Sequence, residues 1–262
     1  MNSMPYITIV TVVYNGVQTI ENTIKSVVNQ KYLNFEYIII DGGSTDGTID
    51  IIERYRDRIN FFKSEPDNGI FDAMNKGLVL AKGEWISFMN SGDMFYTLDI
   101  LNEVFSKDND LYHMIYGNVC LYDKNDNYFF KSKTNKIKIN LNAICHQSVF
   151  IKVKSHPLFS LDYKLSADHD LIYKLVKKKR IRYIDLCISK ILIGGVSSNL
   201  KRTRREKLRI SMKNGNLIDV LFAILFYLYG MIKDLGKKII LKFFSVELFN
   251  KLRYLKNKIE EN

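Results

Sequence analysis

The strongest constraint on this chain is the rhythm of its first 110 residues. Short apolar runs rich in β-branched residues alternate with segments whose apolar residues recur at helical spacing. The run Tyr6-Ile-Thr-Ile-Val-Thr-Val-Val13 reads as a strand. Between residues 17 and 30, Val17, Ile20, Ile24, Val27 and Val28 share one helical face. Strands are expected again at 35–40, 59–63 and 84–89, with helices at 48–56 and 70–81 between them. Strands that are apolar throughout must be covered on both faces. The pattern therefore predicts βαβ units and an α/β fold with a mostly parallel central sheet. Beyond residue 110 the rhythm loosens. A pair of strands is expected within 115–130, a strand at 148–153, a helix at 168–178 and a strand at 182–192.

Ligands of open α/β sheets gather outside the carboxyl ends of the strands. Four consecutive strand ends here carry turn-forming polar residues: Tyr14-Asn15-Gly16, Asp41-Gly42-Gly43-Ser44-Thr45-Asp46-Gly47, Glu65-Pro66-Asp67-Asn68-Gly69 and Asn90-Ser91-Gly92-Asp93. One such loop is a turn, whereas four along one edge indicate a site. There is no GxxxxGK[ST] and no GxGxxG after the first strand, which excludes a P-loop and a dinucleotide fingerprint. The carboxylates after the second strand would repel phosphate directly. They suit hydrogen bonds to base or sugar donors, or a divalent cation. Asn90 and Asp93 offer hard oxygen ligands appropriate for Mg2+ or Mn2+.

These segments stand in the order found in a known family. The chain resembles a family 2 glycosyltransferase of the GT-A fold, nearer to the bacterial O-antigen and capsule enzymes than to synthases. The resemblance covers roughly residues 5–200. It rests on the strand-end loops above together with Asp72-Ala73-Met74-Asn75-Lys76-Gly77, Ala81-Lys82-Gly83-Glu84-Trp85-Ile86, Cys145-His146-Gln147-Ser148, Ala167-Asp168-His169-Asp170 and Gly194-Gly195-Val196-Ser197. It implies that Thr11, Asn15, Asp41, Ser44 and Asp72 hold the uridine end of a UDP-sugar, with Lys76 nearby. His146 and Gln147 would border the donor diphosphate or the acceptor. Asp93 would be the metal-binding carboxylate for Mn2+ or Mg2+. Many members have two or three acidic residues where this chain has Asn90-Ser91-Gly92-Asp93, so metal binding would rest on one carboxylate plus diphosphate and water. Asp168 matches the catalytic base of an inverting transferase, which would move a hexose or N-acetylhexosamine to a lipid-linked (polyprenyl diphosphate) saccharide. A non-catalytic nucleotide-sugar or glycan-binding protein is the alternative.

Several of these residues have simpler roles open to them. Asp168 suits the N-cap of the helix beginning there. His146 suits a satisfied core histidine, and Trp85 suits the core. Asp93 suits a surface turn.

The net charge of +11 is unevenly spread. Residues 201–262 hold 15 Lys or Arg against 6 Asp or Glu, while the first 200 hold 24 against 22. The chain therefore divides into a nearly neutral body, 1–200, and a basic tail, 201–262. Residues 217–232 are apolar apart from Asp219 and Gly230, too short to span a bilayer. Residues 239–259 place apolar and basic residues on different helical faces. This combination predicts a helical extension lying on an anionic membrane surface. No nucleic-acid motif accompanies it, so nucleic acid is not the expected partner. Three widely spaced cysteines and no CxxC exclude a disulfide framework. No signal peptide is read at the N-terminus, and a cytoplasmic, membrane-peripheral protein is expected.

Overall fold

A computed structural model of the chain describes residues 6–122, 128–132, 144–192 and 200–243. The chain separates into two compact units, Met1–Ser198 and Asn199–Asn262. The first unit begins with β1 (Ile7–Val13), α1 (Ile20–Val28), β2 (Phe35–Asp41), α2 (Thr48–Glu53), β3 (Phe61–Ser64), α3 (Ile70–Leu80) and β4 (Trp85–Phe88). It continues with β5 (Asp93–Phe95), α4 (Ile100–Phe105), β6 (Met114–Tyr122), β7 (Tyr128–Ser132), β8 (Val149–Lys152), α5 (Ala167–Lys178) and β9 (Ile181–Leu192).

The strand order is β3-β2-β1-β4-β8-β6-β9-β5, with β7 paired to β6. The first four strands are mutually parallel. All seven residues of β1 are buried, as expected of a strand covered on both faces. Helix α1 buries Ile20, Thr23, Ile24, Val27 and Val28, the face that its apolar spacing defines.

The sheet as a whole is mixed and not mostly parallel. β8 enters antiparallel between β4 and β6, β7 is antiparallel to β6, and β5 is antiparallel to β9. A parallel neighbour needs a crossover, usually a helix, and beyond β4 the helices that could supply one become sparse. Asp93 also differs from expectation. It is the first residue of β5, and Asp93–Phe95 pair with Ile191, Lys190 and Ser189 of β9.

Trp85, Tyr37, Tyr116 and Phe150 are fully or almost fully buried. Phe105 of α4 packs edge-on against Trp85, Tyr6 and Phe150, with ring centroids 5.8, 5.4 and 5.2 Å away. The Glu36 carboxylate organises the turn into β4. Its Oε1 accepts from the Thr8 hydroxyl at 2.6 Å and from the backbone N–H groups of Lys82 and Gly83 at 2.5 and 3.2 Å.

The second unit holds α6 (Leu200–Asn214) and α7 (Leu217–Phe243). Asn216 caps α7 reciprocally. Its backbone N–H donates to Asp219 Oδ2 at 3.0 Å, and its Oδ1 accepts from the Asp219 N–H at 2.9 Å. Asp219 thus starts the helix and does not interrupt its apolar stretch. The helix also runs on through residues 239–243, which the sequence assigned to a separate segment. The rest of that segment, 244–259, lies outside the described residues. No helix among the described residues is long and apolar enough to cross a membrane.

Glu36→Leu should leave the Lys82 N–H without its acceptor and the Gly83 N–H with Thr8 Oγ1 alone, and lower the unfolding free energy by about 1–3 kcal/mol. Urea denaturation reads this directly; an unchanged midpoint would mean that the carboxylate does not hold the turn.

Candidate active site

Because β3, β2, β1 and β4 are parallel and adjacent, their carboxyl ends form one contiguous edge. The loops leaving that edge are bonded to one another. Asn15 adopts φ 48°, uncommon for a residue other than glycine. Its backbone N–H donates to Ser44 Oγ at 2.7 Å, and its Oδ1 accepts from the Thr45 N–H at 3.0 Å. Asp46 caps the opposite side, accepting from the Val17 and Thr48 N–H groups at 3.1 and 3.0 Å. At Gly42 a Cβ would sit 2.5 Å from Asp67 Oδ2, so a side chain there would displace the Asp67 carboxylate.

Asp41 is the centre of this knot. It is fully buried. Its Oδ1 accepts from the Ser44 hydroxyl at 2.5 Å. Its Oδ2 accepts from the Gly43 and Ser44 N–H groups at 3.0 and 2.9 Å and from Ser64 Oγ at 2.6 Å. Asn15, Asp41 and Ser44 are therefore brought together as expected, but the Asp41 carboxylate is engaged by its own loop. Thr11 stands apart, fully buried, with its hydroxyl bonded to Met89 O at 2.7 Å and to the Tyr37 hydroxyl at 2.9 Å. Asp72 and Lys76 meet along α3. Lys76 Nζ lies 3.0 Å from Glu65 and 3.8 Å from Asp72, and Asp72 also accepts from the Asn68 N–H at 3.0 Å.

The second cluster lies where the chain leaves β4. A 3₁₀ turn, His146–Ser148, bridges it to α5. Gln147 Nε2 donates to Asp93 Oδ2 at 3.0 Å. The His146 ring spans two partners, with Nδ1 at 3.0 Å from Asp168 Oδ2 and Nε2 at 3.2 Å from Asn90 Nδ2. Ser148 anchors the turn, donating to the carbonyls of Gly117 and Cys145. Ser166 is the N-cap of α5, so Asp168 is a first-turn residue and not the cap. The next carboxylate, Asp170, pairs with Lys174 at 2.6 Å.

Burial dominates the electrostatics. Desolvation pushes the Asp93 carboxyl up to about 6, against the opposing effects of the Gln147 bond and the nearby His146. At His146 burial disfavours the charged ring. The hydrogen bond and charge of Asp168, with the charge of Asp93, outweigh it and raise the imidazole pKa.

A desolvated carboxylate next to few compensating charges is suited to a cation. Asn90 adds a second acceptor, since its Oδ1 is buried with no hydrogen-bond partner. No group of three or more His, Cys, Asp or Glu arranged to hold a metal occurs among the described residues. Asp93 and Asn90 thus fit a divalent cation whose remaining ligands come from a diphosphate and water.

Ser64 and Tyr37 were not singled out by sequence. Ser64 ends β3 immediately before Glu65, so the strand-end rule could have found it. Tyr37 lies inside β2 and carried no such signal.

The family model for glycosyl transferase family 2 matches residues 8–164. The chain belongs to this family. It is accordingly a glycosyltransferase. It is 26% identical over 207 residues to a PGL/p-HBAD biosynthesis glycosyltransferase of Mycobacterium bovis, covering 75% of this chain and 80% of the relative. A glycosyltransferase of Rickettsia typhi is 29% identical over 199 residues, covering 68% of this chain and 61% of the relative. Among solved structures, S. aureus TarS (residues 1–349) superposes with a TM-score of 0.63 at 17% identity, covering 80% of this chain and 66% of that one. A mannosyltransferase of Pyrobaculum calidifontis, solved with GDP-Man and Mn2+, superposes with a TM-score of 0.61 at 12% identity, covering 100% and 89%. At these identities the structural matches establish the fold.

The Asp168 contact can be read without substrate. By NMR titration, His146 should ionise above the ordinary histidine value of 6.5. In Asp168→Asn it should fall, because burial remains while the partnering charge is lost. An unchanged His146 titration would show that the two groups are not paired in solution.

Proposed function

We propose that this glycosyltransferase moves a hexose or N-acetylhexosamine from a UDP-sugar to a lipid-linked saccharide, with inversion, in the assembly of a surface polysaccharide. The observation that carries the reading is the connected network at the end of β4. One turn holds Gln147 on Asp93 and His146 on Asp168, so a cation-suited carboxylate and a base-suited carboxylate belong to one bonded unit.

The roles follow from the chemistry of each group. An acceptor hydroxyl is a weak nucleophile at neutral pH and needs a positioned base as it attacks the anomeric carbon. Asp168 takes that proton. His146 orients the carboxylate through Oδ2. Asp170 is turned to Lys174 and does not form a nucleophile–acid pair with Asp168. A single displacement with one base inverts the anomeric centre.

Asp93 and Asn90 would hold Mn2+ or Mg2+. Bound there, the cation would supply positive charge to offset the negative charge developing on the departing diphosphate. On the donor side, the loops knotted by Asp41 and Ser44 form the wall against which the nucleoside packs, with Asn15, Asp72 and Lys76 along the same edge and Thr11 buried within β1. Support for the donor class comes from S. aureus TarS, whose fold is shared and which has been solved with UDP-GlcNAc.

The acceptor and location rest on charge. The basic tail suits an anionic inner membrane face, where a polyprenyl-diphosphate-linked acceptor resides, and favours a cytoplasmic, peripheral enzyme.

Asp168→Asn should lower kcat by about 10²–10⁴-fold, the range of a lost general base, while the UDP-sugar still raises the melting temperature in the presence of Mn2+. Full transfer by that variant would remove Asp168 from the mechanism. Failure of any UDP-sugar to stabilise the wild-type chain would remove the donor assignment.

A further inference from the structure

Helix α7 carries a surface that a water-soluble helix does not carry. From Val220 to Ile232 it has thirteen residues and no charge. Leu221, Phe222, Ile224, Leu225, Phe226, Leu228, Tyr229, Met231 and Ile232 are all exposed, with fractional exposures from 38% at Ile224 to 70% at Ile232. The less exposed positions are Val220, Ala223, Tyr227 and Gly230, which fall on one helical stripe. Gly230 shows what that stripe faces. A Cβ there would sit 2.5 Å from the Arg204 guanidinium of α6, so glycine lets the two helices close.

With that stripe assigned to α6, the apolar exposure wraps more than half the circumference of α7. A partner helix, or a second copy of this chain, covers one stripe and leaves the others in water. A hydrocarbon phase covers all of them at once. At about 1.5 Å per residue the uncharged stretch is roughly 20 Å long, short of the roughly 30 Å bilayer core. It is therefore sized for one leaflet. The adjoining helix supplies matching chemistry. Lys201, Arg202, Arg205, Arg209 and Lys213 of α6 are all exposed and basic. Near an anionic headgroup layer each such residue contributes favourably to binding.

We infer that α7 inserts residues 220–232 into the acyl region of one leaflet of an anionic bilayer, with α6 held at headgroup level as the basic limb of a helical hairpin. This rests on the membrane location proposed above and deepens it, from attachment by charge to insertion of a defined segment. The reciprocal Asn216–Asp219 cap suits this arrangement. It satisfies the amino end of α7 locally and keeps the single carboxylate of that end outside the uncharged stretch.

The test uses the full chain with Phe226→Trp. The native Trp85 is fully buried in the first unit and serves as an internal reference. On phosphatidylglycerol-rich vesicles the variant should co-sediment, its added emission should shift to the blue, and lipids brominated at mid-chain should quench that emission while the wild-type signal is spared. A second variant, Phe222→Gln with Leu225→Gln and Phe226→Gln, should lower vesicle partitioning by at least about tenfold. It should leave UDP-sugar turnover in detergent unchanged.

Co-sedimentation without quenching would overturn insertion while leaving a surface-bound enzyme. Absence of co-sedimentation would overturn the membrane location itself. A blue-shifted emission before lipid is added would also overturn the inference. If that shift accompanies concentration-dependent dimerisation, a second copy covers the helix; if it vanishes on truncation after residue 243, the chain's own terminus does.

Discussion

The contact on which the site depends is the His146 imidazole held between Asn90 and Asp168. It joins the end of a central parallel strand to the first turn of a helix that lies far along the sequence. Alone, each of these groups would be a buried or half-buried polar side chain needing a partner. Together they form a chain of bonds, and Gln147, one residue on, extends it to Asp93. The ring orients the Asp168 carboxylate through Nδ1, and that carboxylate in turn raises the imidazole pKa. The same turn therefore orders both carboxylates, Asp93 and Asp168.

The sheet makes this possible by dividing its labour. Its parallel half is largely apolar inside, with a few bonded polar groups such as Thr8, Thr11 and Glu36, and its polar loops leave from the carboxyl edge. There the loops bond to one another before any ligand arrives. Asp41 shows the cost of that order, since four donors from Gly43, Ser44 and Ser64 converge on one carboxylate. The edge is preorganised by bonds among its own loops. The other half is mixed and less regular: β8 and β7 run antiparallel to β6, while β9 returns parallel to β6 after α5. It delivers the 3₁₀ turn and α5 to the end of β4.

Much of this was legible in the sequence. Period and residue type located β1 to β4 and the helices between them to within a few residues, because buried parallel strands and amphipathic helices carry strong signals. The strand-end rule picked out Asn15, Ser44 and Asp93. Other features were not legible. β5 has three residues and α4 has six, too few for any period to register. The bond from Ser64 to Asp41 depends on strand pairing and not on local sequence. Ser166 and Asp168 both suit an N-cap, and only the backbone geometry decides between them. The continuity of α7 past residue 232 was hidden because charged residues follow, although Lys, Leu and Ile are good helix formers and no proline intervenes.

An enzyme of this design joins an acidic, desolvated reaction site to a separate basic and apolar helical unit. The first suits a nucleotide-sugar with its cation, the second an anionic bilayer. The chemistry proposed for the first is a single displacement assisted by one carboxylate. The most direct test is the anomeric configuration of the first-formed product, read by proton NMR from a UDP-sugar of known configuration. The opposite configuration is expected. Retention would require a second nucleophile at the anomeric carbon and would contradict the assignment of Asp168 as a lone base.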